Sequence, residues 1–205
     1  MTNKIITISR AFGSGGHTIG RAVAERLGIP CYDKELVYRV AKESGFHADF
    51  IEEAGEYAPV TNSLLFNLTV SPNPLATMNS MSMSDQLFVY QTNVIRKVAE
   101  EGPCVIIGRC ADYILRDNPN CFNVFIHADM EFRSARIVKK YGETKQTPKK
   151  RLTDKDNKRR VYYKHYTGKV WGEAQNYHLC LNSGLIGIEK CVDIIADIAQ
   201  ICTED

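Results

Sequence analysis

The residues best suited to chemistry stand near the start of the chain, in IITISRAFGSGGHTIGRAVAERLG, Ile5 to Gly28. An apolar strand runs into a glycine turn and then a helix, which points several backbone N–H groups and the positive end of a helix dipole at one spot. Such a spot stabilises an anion. Gly13, Gly15 and Gly16 let the backbone come close to it, and Ser14 and Thr18 add hydroxyls that can serve as donors or, at Thr18, as a metal ligand. The phosphate-binding pattern G-x-x-x-x-G-K-[ST] is matched in shape but not in charge: Arg10 stands at its first glycine, Gly16 at its lysine and His17 at its Ser/Thr. Arg10, at the mouth of the loop, and Arg21, one turn into the helix, are the nearest substitutes, and arginine reads phosphate bidentately. Taken alone, the same turn is equally a tight connection that packs a helix against a strand.

A second group of charges lies in TPKKRLTDKDNKRRVYYKHYTG. Residues 149–160 hold seven cations and two carboxylates. Thr147 is an N-cap, Pro148 occupies the first helical position and Gly168 ends the helix. Helical spacing puts Asp156, Arg159 and Tyr163 on one face. A cationic lid closing over phosphates has this composition, and so has a solvated helix laced with i,i+4 ion pairs.

These residues need a scaffold, and the rest of the chain supplies one. Apolar runs at Ile5–Ile8, Cys104–Ile107 and Phe122–Ile126, with shorter ones at Ile29–Tyr32 and Leu179–Leu181, read as buried parallel strands. Helical periodicities lie between them, including Ile19-Val23-Leu27 and Leu87-Val94-Ile95-Val98. Strand and helix alternate, which predicts an α/β fold with a doubly wound parallel sheet and right-handed crossovers. Asp33 and Arg109 then fall on the carboxyl edge of that sheet, where open α/β folds bind ligands. Residues 45–84 break the alternation, with three of the seven prolines and only short apolar stretches, and are expected to form an inserted cap or loop.

At 205 residues the chain suits a single domain, 1–205. A hydrophobic content of 44%, a charged content of 24% and a formal charge of +2 are those of an ordinary soluble protein, without the basic excess that nucleic-acid binding favours. No apolar run approaches the roughly 20 residues needed to span a bilayer, and the expected location is cytoplasmic. Seven cysteines without a C-x-x-C pair suggest neither a zinc site nor a disulfide framework, and are expected to be reduced and buried. A homo-oligomer is compatible with the amphipathic stretch Asp85–Glu100.

In order along the chain, ITISRAFGSGGHTIGRAVA, YDKELVYR, GRCADYIL, NVFIHADMEFRSARI, DKDNKRR and YHLCLNSGLIGIEKCVDII resemble the successive segments of bacterial cytidylate kinases, and GSGG resembles the loop of the divergent cytidylate kinase-like family. The resemblance implies a three-layer P-loop NTPase-type fold with an inserted acceptor-binding region at 45–84 and a basic helical lid at 142–168. It implies that ATP, with Mg²⁺, donates its γ-phosphate to CMP, dCMP or a related small acceptor. Gly13, Ser14, Gly15, Gly16, His17 and Thr18 would cradle the donor phosphates, and Arg39 would hold the acceptor's phosphate. Asp33 would lie near the acceptor's sugar or the reaction centre, Arg109 near its base or phosphate, and Asp156 towards its nucleoside. Arg159 would face the transferring phosphate. Two other readings fit the same residues: a nucleotide-binding module of this fold that has lost transfer and acts through partner contacts, and a kinase of a small metabolite other than a nucleotide.

Overall fold

The computed structural model describes residues 4–56 and 82–201. Five strands, β1 (Ile5–Arg10), β2 (Cys31–Tyr32), β3 (Cys104–Ile107), β4 (Cys121–His127) and β5 (Leu179–Asn182), form one parallel sheet in the order β2-β3-β1-β4-β5. Ile6 lies beside Val105 and Phe122, and Ile8 beside Ile107 and Val124. Around the sheet stand α1 (Gly16–Leu27), α2 (Lys34–Ser44), α3 (Ala48–Ala54), α4 (Met83–Glu100), α5 (Ala111–Ile114), α6 (Met130–Tyr141), α7 (Pro148–Thr167), α8 (Ser183–Ile186) and α9 (Ile188–Ile201).

Successive strand residues point to opposite faces, so both faces of the central strands must be apolar to be covered. On one face Ile6, Ile8, Val105, Ile107, Val124 and Ile126 pack with Ile19 and Val23 of α1 and Val192 and Ile195 of α9. On the other, Ile5, Cys104 and Ile106 meet Leu36 and Val40 of α2, Ile51 of α3 and Val94, Ile95 and Val98 of α4. Helix, sheet and helix make three layers, the fold class the alternating pattern predicts. Each such Ile or Leu contributes about 1.5–3 kcal/mol on full burial.

The expected insert at 45–84 is partly helical. Its residues 48–54 form α3, which is only seven residues long and therefore shows no helical period in the sequence. Its residues 57–81 lie outside the described residues. The basic helix follows its sequence signals closely: the Thr147 hydroxyl accepts from the Lys150 amide, and Gly168, at φ 71°, donates its amide to Lys164 O. The six described cysteines are free, and burial pushes the thiols of Cys104 and Cys121 up to about 12. Among the described residues no helix is long and apolar enough to cross a membrane.

Candidate functional site

β1 lies at the middle of the sheet, so its carboxyl end opens between the ends of β3 and β4. The chain turns there through Gly13 and Gly15, at φ 82° and 88°, a left-handed backbone that favours glycine. Ser14, fully buried, braces this turn from beneath: its hydroxyl lies 2.9 Å from Ala11 O and 3.0 Å from Ile126 O. The first hydrogen bond of α1 runs from the Ile19 amide to Gly15 O at 2.9 Å, which leaves the amides of Gly16, His17 and Thr18 without an intrahelical acceptor. No acidic side chain stands in that first turn. Gly13, Gly15, Gly16, His17 and Thr18 line a cavity of about 1720 Å³, at the place where the glycine loop leads one to expect an anion cradle.

The missing lysine has a steric explanation. A Cβ built on Gly16 would overlap Arg10 Cβ and lie 2.9 Å from Arg10 Cγ. Arg10 Cβ is fixed to the backbone of β1 and cannot swing aside. The stem of Arg10 thus occupies the space in which a side chain at position 16 would start, and the two positions have exchanged their cation and their glycine relative to G-x-x-x-x-G-K.

Further cations reach the same cavity from separate elements: Arg21 from α1, Arg109 from the β3–α5 turn, Arg136 from α6, and Lys155 and Arg159 from α7. Arg136 Nη2 donates to Thr18 Oγ1 at 2.9 Å, above the cradle. The Lys155 ammonium lies 4.8 Å from the centre of the Phe12 ring, and burial followed by the neighbouring Arg159 charge lowers its pKa. Arg159, 6% exposed, donates through Nη1 to Arg10 O at 3.1 Å. Arg10 is paired with the carboxylate of Glu56, through Nη1 to Oε1 and through Nη2 to Oε2 at 3.1 Å. Asp33 also lines the cavity and accepts from His17 Nε2 at 2.6 Å. Burial alone would raise the Asp33 carboxyl, yet the hydrogen bond and charge of His17, with Arg10 and Arg109 nearby, hold it below its ordinary value.

Two of the expected acceptor residues are engaged elsewhere. Arg39 is not brought to the cavity: its Nη1 donates to both carboxylate oxygens of Glu101, at 2.6 and 2.9 Å, and its guanidinium sits 4.9 Å from the Tyr32 ring centre. The side of α2 that carries it faces the end of α4, where Glu101 supplies the counter-charge. Asp156 is turned to the loop backbone, accepting from the Phe12 amide at 2.7 Å and from Arg133 Nη1 at 2.5 Å. Arg133 Nη1 also donates to Phe12 O at 3.2 Å, so this pair clamps α7 to the glycine loop. The Asp156 and Arg133 side chains are each 11% exposed, so Asp156→Ala strands a buried cation and should cost on the order of 3 kcal/mol, read from chemical denaturation. Arg109 lines the cavity while donating to Ile51 O at 3.1 Å and Gln91 Oε1 at 3.0 Å. Thr18, the expected metal ligand, accepts through the same oxygen from the Arg136 guanidinium, whose charge disfavours a cation beside it. Among the described residues no group of three His, Cys, Asp or Glu side chains is placed to hold a metal ion.

Arg136, Lys155, Arg133 and Glu56 were not singled out by the sequence. The nearest signal is the i, i+3, i+7 spacing of Arg133, Arg136 and Lys140, one charged stripe along α6 facing the loop.

Comparison with known proteins agrees with this geometry. Residues 5–185 match the family described as cytidylate kinase-like. A cytidylate kinase of Archaeoglobus fulgidus is 30% identical over 200 residues, covering 96% of this chain and 94% of that protein. An uncharacterised protein from Eubacterium ventriosum superposes with a TM-score of 0.72 at 29% identity, covering 96% and 98% of the two chains. A shikimate kinase from Acinetobacter baumannii, in complex with shikimate, shares the fold with a TM-score of 0.55 at 14% identity, over 100% and 97%.

Proposed function

The chain belongs to the cytidylate kinase-like family, and from that premise we propose that it is an ATP-dependent phosphotransferase that moves the γ-phosphoryl group onto CMP, dCMP or a related small acceptor. The observation that carries this reading is the exchange between positions 10 and 16: the amide cradle is intact, and the absent ammonium is answered by a guanidinium whose stem fills the vacated space. Phosphoryl transfer is chiefly positioning plus neutralisation of charge spread over the equatorial oxygens, so cations converging from separate elements are what the reaction requires.

In this reading the amides of Gly16 to Thr18, with Arg136 and Arg21, hold the donor's phosphates. Mg²⁺ arrives with ATP as part of the substrate. Arg10 and Arg159 hold the phosphoryl group in transit between donor and acceptor. Asp33, kept ionised by His17, and Arg109 orient the acceptor at the carboxyl edge of β2 and β3. The acceptor's phosphate is already a nucleophile at neutral pH, so no strong general base is needed. Asp156 acts by fixing the loop backbone through the Phe12 amide. Such an enzyme works on small nucleotides in the cytoplasm, without nucleic acid or membrane.

The test is ADP formation by purified protein given ATP, Mg²⁺ and, separately, CMP, dCMP, UMP, AMP and shikimate. The expected result is a rate with CMP or dCMP well above that without acceptor. No acceptor-dependent ADP from any of the five would leave a nucleotide-binding module in place of the kinase, and turnover with shikimate alone would assign a non-nucleotide acceptor.

A further inference from the structure

The Arg10–Arg159 pair already holds an anion, and the anion belongs to the chain. Glu56 follows Gly55, the C-cap of α3, and lays its carboxylate across Arg10 while Arg159 Nη2 stands 3.4 Å from Oε2. The three side chains are only 13%, 13% and 7% exposed, so water screens the cluster weakly. Gly108, at φ 72°, leaves the room in which the head groups meet, since a Cβ there would overlap both Arg10 Nη1 and Glu56 Oε1. Arg109 supports the approach from below through Ile51 O, and Ile51 itself is fully buried.

Two guanidinium groups held this close repel each other unless an anion lies between them. A two-oxygen carboxylate edge is the nearest side-chain counterpart of a phosphoryl group, which arginine also reads through paired N–H donors. A phosphoryl group entering the pair would bring its charge against that of Glu56, with Asp33 ionised on the same cavity wall, and the two anions cannot share the donors.

We propose that Glu56 is an internal surrogate for the phosphoryl group, filling the Arg10–Arg159 subsite of the unliganded protein and being expelled when a substrate phosphate enters. The inference rests on the function proposed above in one respect, that phosphoryl-bearing ligands use this cavity. Glu56 lies beyond the last turn of α3, so its carboxylate leaves without unpacking Ile51. The surrogate prevents mutual repulsion from splaying the arginines, and its cost is an apparent affinity lowered by the fraction of time the subsite stays closed. Glu56 therefore sets how strongly a ligand must present phosphate in order to bind.

Calorimetric titration of the whole protein, wild type and Glu56→Gln, with CMP, ADP and ATP in turn tests this. The glutamine keeps the size and loses the charge. The expected result is binding tightened about tenfold for at least one phosphate ligand. Tightening of CMP identifies the displacing group as the acceptor's phosphate, and tightening of ATP over ADP identifies it as the donor's γ-phosphate. If Glu56 instead braces the arginines for the ligand, the variant binds every ligand equally or more weakly, and the inference fails. Absence of binding by both proteins overturns it too. Should Glu56→Gln not fold, Glu56→Asp, one methylene too short to span both guanidiniums, is held to the same criterion. Turnover is read separately, as ADP formation: binding that tightens in a protein that forms no acceptor-dependent ADP removes the kinase and leaves the surrogate standing.

Discussion

Arg10→Gly is expected to lower kcat for acceptor-dependent ADP formation by about 10³, and the double variant Arg10→Gly, Gly16→Lys to recover at least about tenfold of that loss. A pre-positioned donor on a developing anionic charge typically contributes this much, because in a partly desolvated site the cation is already oriented when the charge develops. Gly16→Lys alone should be no improvement on wild type, since its Cβ would overlap that of Arg10. Only when position 10 is cleared can a side chain at 16 start along its ordinary path. The glycine in β1 weakens the strand by roughly 1 kcal/mol, so thermal melts must accompany the kinetics. A double variant that is folded and still as inactive as Arg10→Gly would show that the two positions have not exchanged roles.

Arg136→Ala is expected to reduce kcat/KM for ATP by about 10², chiefly through KM, with Arg136→Lys intermediate. Its guanidinium bonds Thr18 Oγ1, and a Cβ on Gly15 would lie 3.4 Å from its Nε, so it stands directly over the cradle. That position suits the ground-state phosphates of the donor more than the group in transit. The division between KM and kcat separates it from Arg10, whose loss should fall on kcat. An Arg136→Ala protein with unchanged KM for ATP would remove Arg136 from the donor site.

Much of this is legible in the sequence. The strands at Ile5–Arg10, Cys104–Ile107 and Cys121–His127 announce themselves as unbroken apolar runs because helices cover both their faces. The limits of α7 follow from Thr147, Pro148 and Gly168, whose backbone and side-chain chemistry acts locally. Asp156, Arg159 and Tyr163, placed on one face by their spacing, are all buried. What escaped depends on long-range placement. Arg39 looks like any helix arginine, and only the approach of Glu101, 62 positions later, fixes where it points. Glu56 and Arg136 carry no local mark either. They acquire meaning through Arg10 and Thr18, 46 and 118 positions away. α3 is too short for its period to register, although it positions Glu56.

The central claim is that Arg10 does from the end of β1 what an ammonium group at position 16 would otherwise do. A crystal structure of the protein with a non-hydrolysable ATP analogue and CMP tests it most directly. The analogue's γ-phosphate is expected between Arg10 and Arg159, each guanidinium within hydrogen-bonding distance, with the Glu56 carboxylate withdrawn. Phosphates bound in the cradle while Arg10 remains paired to Glu56 would contradict it.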